Sequence, residues 1–250
     1  MTEKTPLLSV RGAKKSYLEG GFFARRRHPV LDGVSFDIAP GEPVALLGSS
    51  GEGKSTLSRL LLGLEAPDAG SVLIEGIPVT EWKRKHPGGI SAVFQDSSAA
   101  VDPRWTAGRI IAEALAILGK DGRAAVPALL RAVRLPEDYA GRYPHELSGG
   151  ELQRVCIARA ISTRPKLIVF DEAVSSLDVS AQAHILGLIR ELSSGTAFLF
   201  ITHDIQAAAS ICERILFMDE GKIAEDIASR DLARARSSCA RRLLSAVIPF

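Results

Sequence analysis

Residues Gly48-Ser49-Ser50-Gly51-Glu52-Gly53-Lys54-Ser55-Thr56 have the types and spacing G-x-x-x-x-G-K-[ST]. Glycines there let successive backbone N–H groups curl round phosphate oxygens with no side chain in the way. Lys54 adds a point charge suited to β- and γ-phosphates, and the Ser55 hydroxyl is placed to ligate Mg²⁺. The stretch therefore reads as a cradle for a nucleoside triphosphate. Its flanks agree. Pro43 to Leu47 is a continuous apolar run of strand length, the pattern of a parallel strand buried on both faces. Leu57, Leu60, Leu61 and Leu64 follow at helical spacing, so the loop opens a helix N-terminus that favours anions.

Other polar groups sit where chemistry with that phosphate end would need them. Ile90 to Phe94 reads as a strand that delivers Gln95 at its carboxyl end, suited to sensing Mg²⁺ and the γ-phosphate. Leu167 to Phe170 is an apolar strand that ends in Asp171-Glu172, and adjacent carboxylates there are costly unless used. Strand alternation separates their roles: Asp171 for the Mg²⁺ shell, Glu172 to polarise the water that attacks the γ-phosphate. Phe198 to Ile201 ends in Thr202-His203-Asp204, from which His203 can reach the γ-phosphate. Ser148-Gly149-Gly150 starts a helix and offers a second anion site of free N–H groups, a hydroxyl and a positive dipole end. In a chain that already has one phosphate loop, this second terminus reads as serving the nucleotide of a second copy. Tyr17 has two readings, packing on a sheet edge or stacking on adenine.

The elements that must position these groups make an α/β fold. Leu7 to Arg11 and Gly33 to Ile38 read as antiparallel strands, with Leu18 to Pro29 between them as an exposed loop rich in Gly and Arg. Ser71 to Glu75 is a further short strand and Trp82 to His86 a charged connection. From Asp96 to Tyr143 no strand pattern occurs. Thr106 to Leu118 and Ala124 to Val133 show helical periodicity, broken up by Pro103, Pro127, Pro136 and Pro144. Arg214 to Glu225 reads as a final hairpin, followed by a basic, Ala-rich helical tail. The expected organisation is a P-loop NTPase core, residues 1–95 and 144–228, carrying an antiparallel β subdomain. A helical subdomain, 96–143, is inserted in it, and a helical tail, 229–250, follows.

The chain has 250 residues, 46% of them hydrophobic, enough to fill one large core or a core with a small subdomain. No apolar run approaches the roughly eighteen residues of a membrane span, and Met1 to Leu8 lacks a secretory h-region, so a cytosolic protein is expected. Cys156, Cys212 and Cys239 have neither disulfide nor metal-ligand spacing. A net charge of +2 is too small to argue for nucleic acid, and Arg25-Arg26-Arg27-His28 reads as solvated loop.

In order and spacing these motifs resemble the ATPase subunits of ABC transporters over nearly the whole chain. Tyr17 matches the adenine-stacking aromatic, Gly48 to Thr56 the Walker A loop, Gln95 the Q-loop and Leu147 to Arg154 the signature. Ile168 to Glu172 match Walker B, Ser176-Leu177-Asp178 the D-loop and His203 the switch histidine. The resemblance implies ATP and Mg²⁺ as cofactors. It also implies a head-to-tail pair with a second ABC ATPase subunit, identical or different, each ATP lying between one Walker A loop and the other signature. Asp178 joins the nucleotide-contacting set on the same ground. Two membrane permease subunits, an indirectly acting periplasmic or extracellular solute-binding protein, and a peripheral place on the cytoplasmic face of the membrane follow.

Gly20-Gly21-Phe22-Phe23, Phe94 to Arg104 and Arg242 to Val247 look most like the second ATPase of nickel and peptide importers. Asp171 to Asp178 lean towards nickel, free or chelated, over short peptides, where Pro and Thr usually follow the glutamate. Glu151 stands where the signature usually has Gln, and Ala173-Val174 replace the common Pro-Thr. A soluble ABC-type ATPase acting on DNA or ribosomes is the alternative of another class. It is disfavoured by the short distance between Thr56 and Leu147 and by the single nucleotide domain.

Overall fold

The computed structural model describes residues 5–19, 26–192 and 195–246. β1 (Leu8–Glu19) and β2 (Arg26–Ile38) form a long antiparallel ribbon, and β3 (Pro43–Leu47) leads through the glycine-rich loop into α1 (Lys54–Leu61). β4 (Ala69–Ile74), β5 (Ile77–Pro78), α2 (Val79–Lys85) and β6 (Ile90–Phe94) follow. Next comes a helical run of α3 (Ala107–Ile117), α4 (Val126–Ala132) and α5 (Gly149–Ile161), with short 3₁₀ turns between. β7 (Leu167–Asp171), α6 (Val179–Leu192), β8 (Ala197–Thr202), α7 (Ile205–Ile211), β9 (Arg214–Asp219), β10 (Lys222–Ala228) and α8 (Ser238–Ser245) complete the order.

Two sheets result. One is antiparallel, ordered β2-β1-β4-β5; the other is ordered β10-β9-β3-β8-β7-β6 and is parallel except where β10 joins. Side-chain alternation along the parallel strands builds a core on each face. Ala45, Leu47, Ile168, Phe170, Phe198 and Phe200 face the helices α3, α5, α6 and α7. Val44, Leu46, Leu167, Val169, Leu199 and Ile201 face α1 and the antiparallel sheet. Phe170 and Phe198 meet edge to face, centroids 5.8 Å apart, an arrangement aromatic quadrupoles favour. Among the described residues no helix is long and apolar enough to cross a membrane.

The structure departs from the sequence expectations in three places. β1 and β2 run well past Arg11 and start before Gly33, pairing Tyr17 with His28 and Leu18 with Arg27. Tyr17, Arg26, Arg27 and His28 therefore lie in strands and not in a loop, whereas Gly20 to Arg25 fall outside the described residues, as do Met1 to Lys4 and Val247 to Phe250. Leu57, Leu60 and Leu61 are buried as expected, but α1 stops at Leu61 and Leu64 is exposed.

Trp82 to His86, read as a charged connection, is mostly helix α2. Glu81 and Lys85 pair at 2.7 Å on its outer face and Lys83 donates to the Leu62 carbonyl, while Trp82 is fully buried and its indole N–H donates to Glu75 at 3.0 Å. Lys166, just before β7, binds the same carboxylate at 2.6 Å, so the Glu75 side chain ties the tryptophan of α2 to the start of a parallel strand. Trp82→Ala is expected to destabilise the protein by about 3–5 kcal/mol through the cavity it leaves, read as a lower midpoint of denaturant unfolding.

Candidate active site

Parallel pairing carries the candidate residues to one edge. Leu47 lies beside Thr202 and Phe217, and Asp171 lies between Phe94 and Ile201. The segments that leave these carboxyl ends, the glycine-rich loop, Gln95, Asp171-Glu172 and His203, emerge side by side, where open α/β sheets bind ligands. A cleft of ≈ 630 Å³ opens there, and Lys54, Ser55, Gln95, Asp171 and Glu172 all line it, with Ser50, Gly51, Gly53 and Thr56.

The loop's backbone explains its glycines. Gly53 has φ 98°, and a Cβ there would stand 2.8 Å from the carbonyl oxygen of Val30. A Cβ on Gly48 would meet the Met218 carbonyl oxygen at 2.8 Å. No other residue fits either position without moving β2 or β9.

Lys54 is 7% exposed and donates to the carbonyl oxygens of Gly48 and Ser49 at 2.7 and 2.8 Å. Burial pulls its pKa down, opposed by the charges of Glu172, Asp171 and Glu52. Asp171 responds in the opposite sense. Burial pushes its carboxyl above the usual range and the Glu172 charge adds to this, while Lys54 opposes it. A buried cation and a half-buried carboxylate beside open space are groups prepared to exchange protein contacts for those of a charged ligand.

Glu172 sits at φ 51°, in the left-handed region, with its N–H donating to Ile201 at 2.9 Å. Such backbone costs about 1–3 kcal/mol in a non-glycine residue. It turns the side chain out of the strand, where the carboxylate accepts from the Ser175 hydroxyl at 2.7 Å and lies 3.1 Å from His203 Nδ1. His203 does not line the cleft but is joined to it through Glu172. Glu52 turns away from the cleft and accepts the backbone N–H of Glu220. Tyr17 does not line it either; half-buried, its hydroxyl donates to Glu65 at 2.7 Å.

Ser148, Gly149, Gly150 and Asp178 line a different cleft, of ≈ 560 Å³, which shares no residue with the first. Ser148 caps α5: its hydroxyl accepts from the Glu151 N–H at 3.3 Å, and the Glu151 carboxylate accepts from the Ser148 N–H at 2.8 Å. The Tyr139 hydroxyl also donates to Glu151, at 3.0 Å, and the hydrogen bond from the Ser148 backbone leads the interactions that hold this carboxyl below its ordinary pKa. Glu151, noted in the sequence only as a departure from the usual signature Gln, thus shapes this site as a helix cap, and S-x-x-E at a helix start is the signal of such a capping box. Asp178 accepts from the Ala181 N–H at 2.9 Å at the start of α6.

A family model described as ABC transporter matches residues 31–175. The chain is 44% identical to the nickel import ATP-binding protein NikE of Rhodospirillum rubrum, over 98% of this chain and 92% of that protein. It is 41% identical to the metal-staphylopine import system ATP-binding protein CntF of Staphylococcus aureus, over 98% of this chain and 100% of that one. Among solved structures it is similar to the dimeric ATP-binding cassette MJ0796 in a post-hydrolysis state bound to ADP and Pi. There the TM-score is 0.78 at 29% identity, covering 89% of this chain and 99% of that one.

Glu172→Gln keeps the side chain's shape and removes its charge. The variant is expected to retain ATP binding and to lose about 10²–10⁴-fold in hydrolysis, measured as steady-state phosphate release; a near wild-type rate would place the base elsewhere.

Proposed function

Because the chain belongs to the ABC transporter family of ATPases, we propose that it is the ATP-hydrolysing subunit of an importer for nickel or a nickel chelate. Transport runs through two separate membrane permeases, supplied by an external solute-binding protein, with this subunit on the cytoplasmic face. The observation that carries the chemistry is the convergence of Lys54, Asp171 and Glu172 on one cleft. The cargo rests on likeness to the nickel and metal-staphylopine import proteins, since none of these residues meets it.

In this reading residues 1–95 and 144–228 act as the ATPase core, 96–143 as an inserted helical subdomain that faces the permeases, and 229–250 as a tail. The amides of Gly48 to Thr56 wrap the phosphates, and Lys54 releases the carbonyls of Gly48 and Ser49 to bind them. Tyr17 gives its ring to the adenine. Ser55, Gln95 and Asp171 would hold Mg²⁺; their oxygens suit a hard cation, and the burial of Asp171 beside the cleft fits a carboxylate meant to face one. When bound, Mg²⁺ supplies charge neutralisation at the β- and γ-phosphate oxygens. Glu172 orients the attacking water and His203 steadies Glu172 and the γ-phosphate.

The separate cleft of Ser148, Gly149, Gly150 and Asp178 supports a head-to-tail pair with a second ATPase subunit, in which these groups reach the other subunit's nucleotide. Ser148→Arg in one subunit of a dimer is expected to abolish turnover at the opposite site while its own Walker A loop still binds nucleotide. Loss of the mutant's own binding would sink the trans arrangement. For the cargo, deleting the gene should reduce accumulation of labelled nickel supplied at trace level, with Lys54→Ala failing to restore it. Unchanged nickel uptake with lost dipeptide uptake would reassign the importer to peptides.

A further inference from the structure

Helix α5 does more than present Ser148. Three of its side chains, one turn apart, reach carbonyl oxygens of the segment that leaves β6. Gln153 Nε2 meets the Phe94 carbonyl at 3.4 Å, Cys156 Sγ the Ser97 carbonyl at 3.9 Å, and Arg159 Nη1 the Ala100 carbonyl at 2.9 Å. Burial pushes the Cys156 thiol up to about 11, so it keeps the proton it donates. The three bonds are unequal. The first two are long, whereas that of Arg159 is short, charge-assisted and largely shielded from water. Arg159 also pairs with Glu113 of α3 at 3.3 Å, its side chain 19% exposed.

The segment held this way is itself closed into a turn. Asp96 Oδ1 accepts from the N–H and hydroxyl of Ser98, at 3.0 and 2.6 Å, and from the Ala99 N–H at 3.0 Å. Phe94, Gln95, Asp96, Ala99 and Ala100 line the first cleft. The middle and C-terminal end of α5, with Arg159 near that end, therefore grip a wall of the nucleotide cleft. Its other end, roughly 16 Å away along the axis at 1.5 Å per residue, carries Ser148 in the second cleft.

We propose that Arg159 is a positioning residue for ATP hydrolysis, clamping the Phe94–Ala100 segment to α5 so that Gln95 is held in its own cleft in register with Ser148 in the other. The proposal rests on the nucleotide reading given above. With the clamp intact, a shift of Gln95 towards a bound nucleotide drags α5, and with it the signature residues. Without it the two ends move independently, although the Walker A loop is untouched. The loss should thus fall on turnover and not on nucleotide capture.

The test uses the full chain assembled with its transport partners. Arg159→Met keeps the aliphatic stem and removes charge and donors; Arg159→Lys keeps the charge and donates from a single nitrogen. Arg159→Met is expected to lower kcat about ten- to a hundredfold, the scale of one charge-assisted hydrogen bond. Its KM for ATP should stay within about twofold, and Arg159→Lys should recover most of the rate. A raised KM with unchanged kcat, or a Lys variant no better than Met, overturns the proposal. Should Arg159→Met not fold, Glu113→Gln decides through hydrogen exchange. Faster exchange of the Gln95 to Ala100 amides with α5 unchanged supports the clamp, and unchanged exchange there overturns it. Failure of the nucleotide reading would show separately, as ATP binding that survives Lys54→Ala.

Discussion

The register of the parallel strands is the constraint from which the rest of the molecule follows. β3 is paired on both sides, with β8 and β9, and β7 is paired with β6 and β8. Their residues alternate between two cores, so a slip of one residue would turn every buried side chain to the wrong face. The same register fixes where each strand stops. Gln95, the Asp171-Glu172 pair and His203 are far apart in the sequence, yet they leave the sheet at one edge because Phe94, Asp171 and Ile201 are aligned neighbours across it. Hydrophobic burial here serves as the ruler for a polar site.

At that edge the protein is electrostatically unfinished. Lys54 is buried and Asp171 half-buried, and burial drives each towards its neutral form. Lys54 makes do with the carbonyls of its own loop, which are weaker partners for an ammonium than phosphate oxygens. Glu172 is held by Ser175 and His203 on strained backbone. A polyanion entering the cleft would offer Lys54 stronger partners than these carbonyls. Preorganisation of this kind makes charge stabilisation effective in a water-poor site.

Much of this was legible in the sequence. Apolar runs ending abruptly in Gly48, Gln95, Asp171 and Thr202 mark buried parallel strands and their exits, since a strand buried on both faces needs an unbroken apolar pattern. The ATPase family and fold were legible on the same residues. What was hidden depends on partners far along the chain. Trp82 in a run of Lys and Arg looks like a surface turn until Glu75 and Lys166 close round its indole. Tyr17 lies in a strand because His28 pairs with it, an arrangement local propensity does not encode. The contacts of Gln153, Cys156 and Arg159 each span 59 residues and involve backbone carbonyls, which carry no sequence signature. The role of Glu151 was within reach, because its capping pattern is local.

The separation of the two clefts has a meaning for supply. A protomer whose own signature residues lie outside its own nucleotide cleft can fill that cleft without enclosing the terminal phosphate. Under the proposed head-to-tail pairing, chains that lack a second ATPase subunit would sit loaded but idle, and surplus synthesis would not drain the cell's nucleotide pool. On that reading, stoichiometry among the subunits, and not the abundance of ATP, would set the rate of consumption.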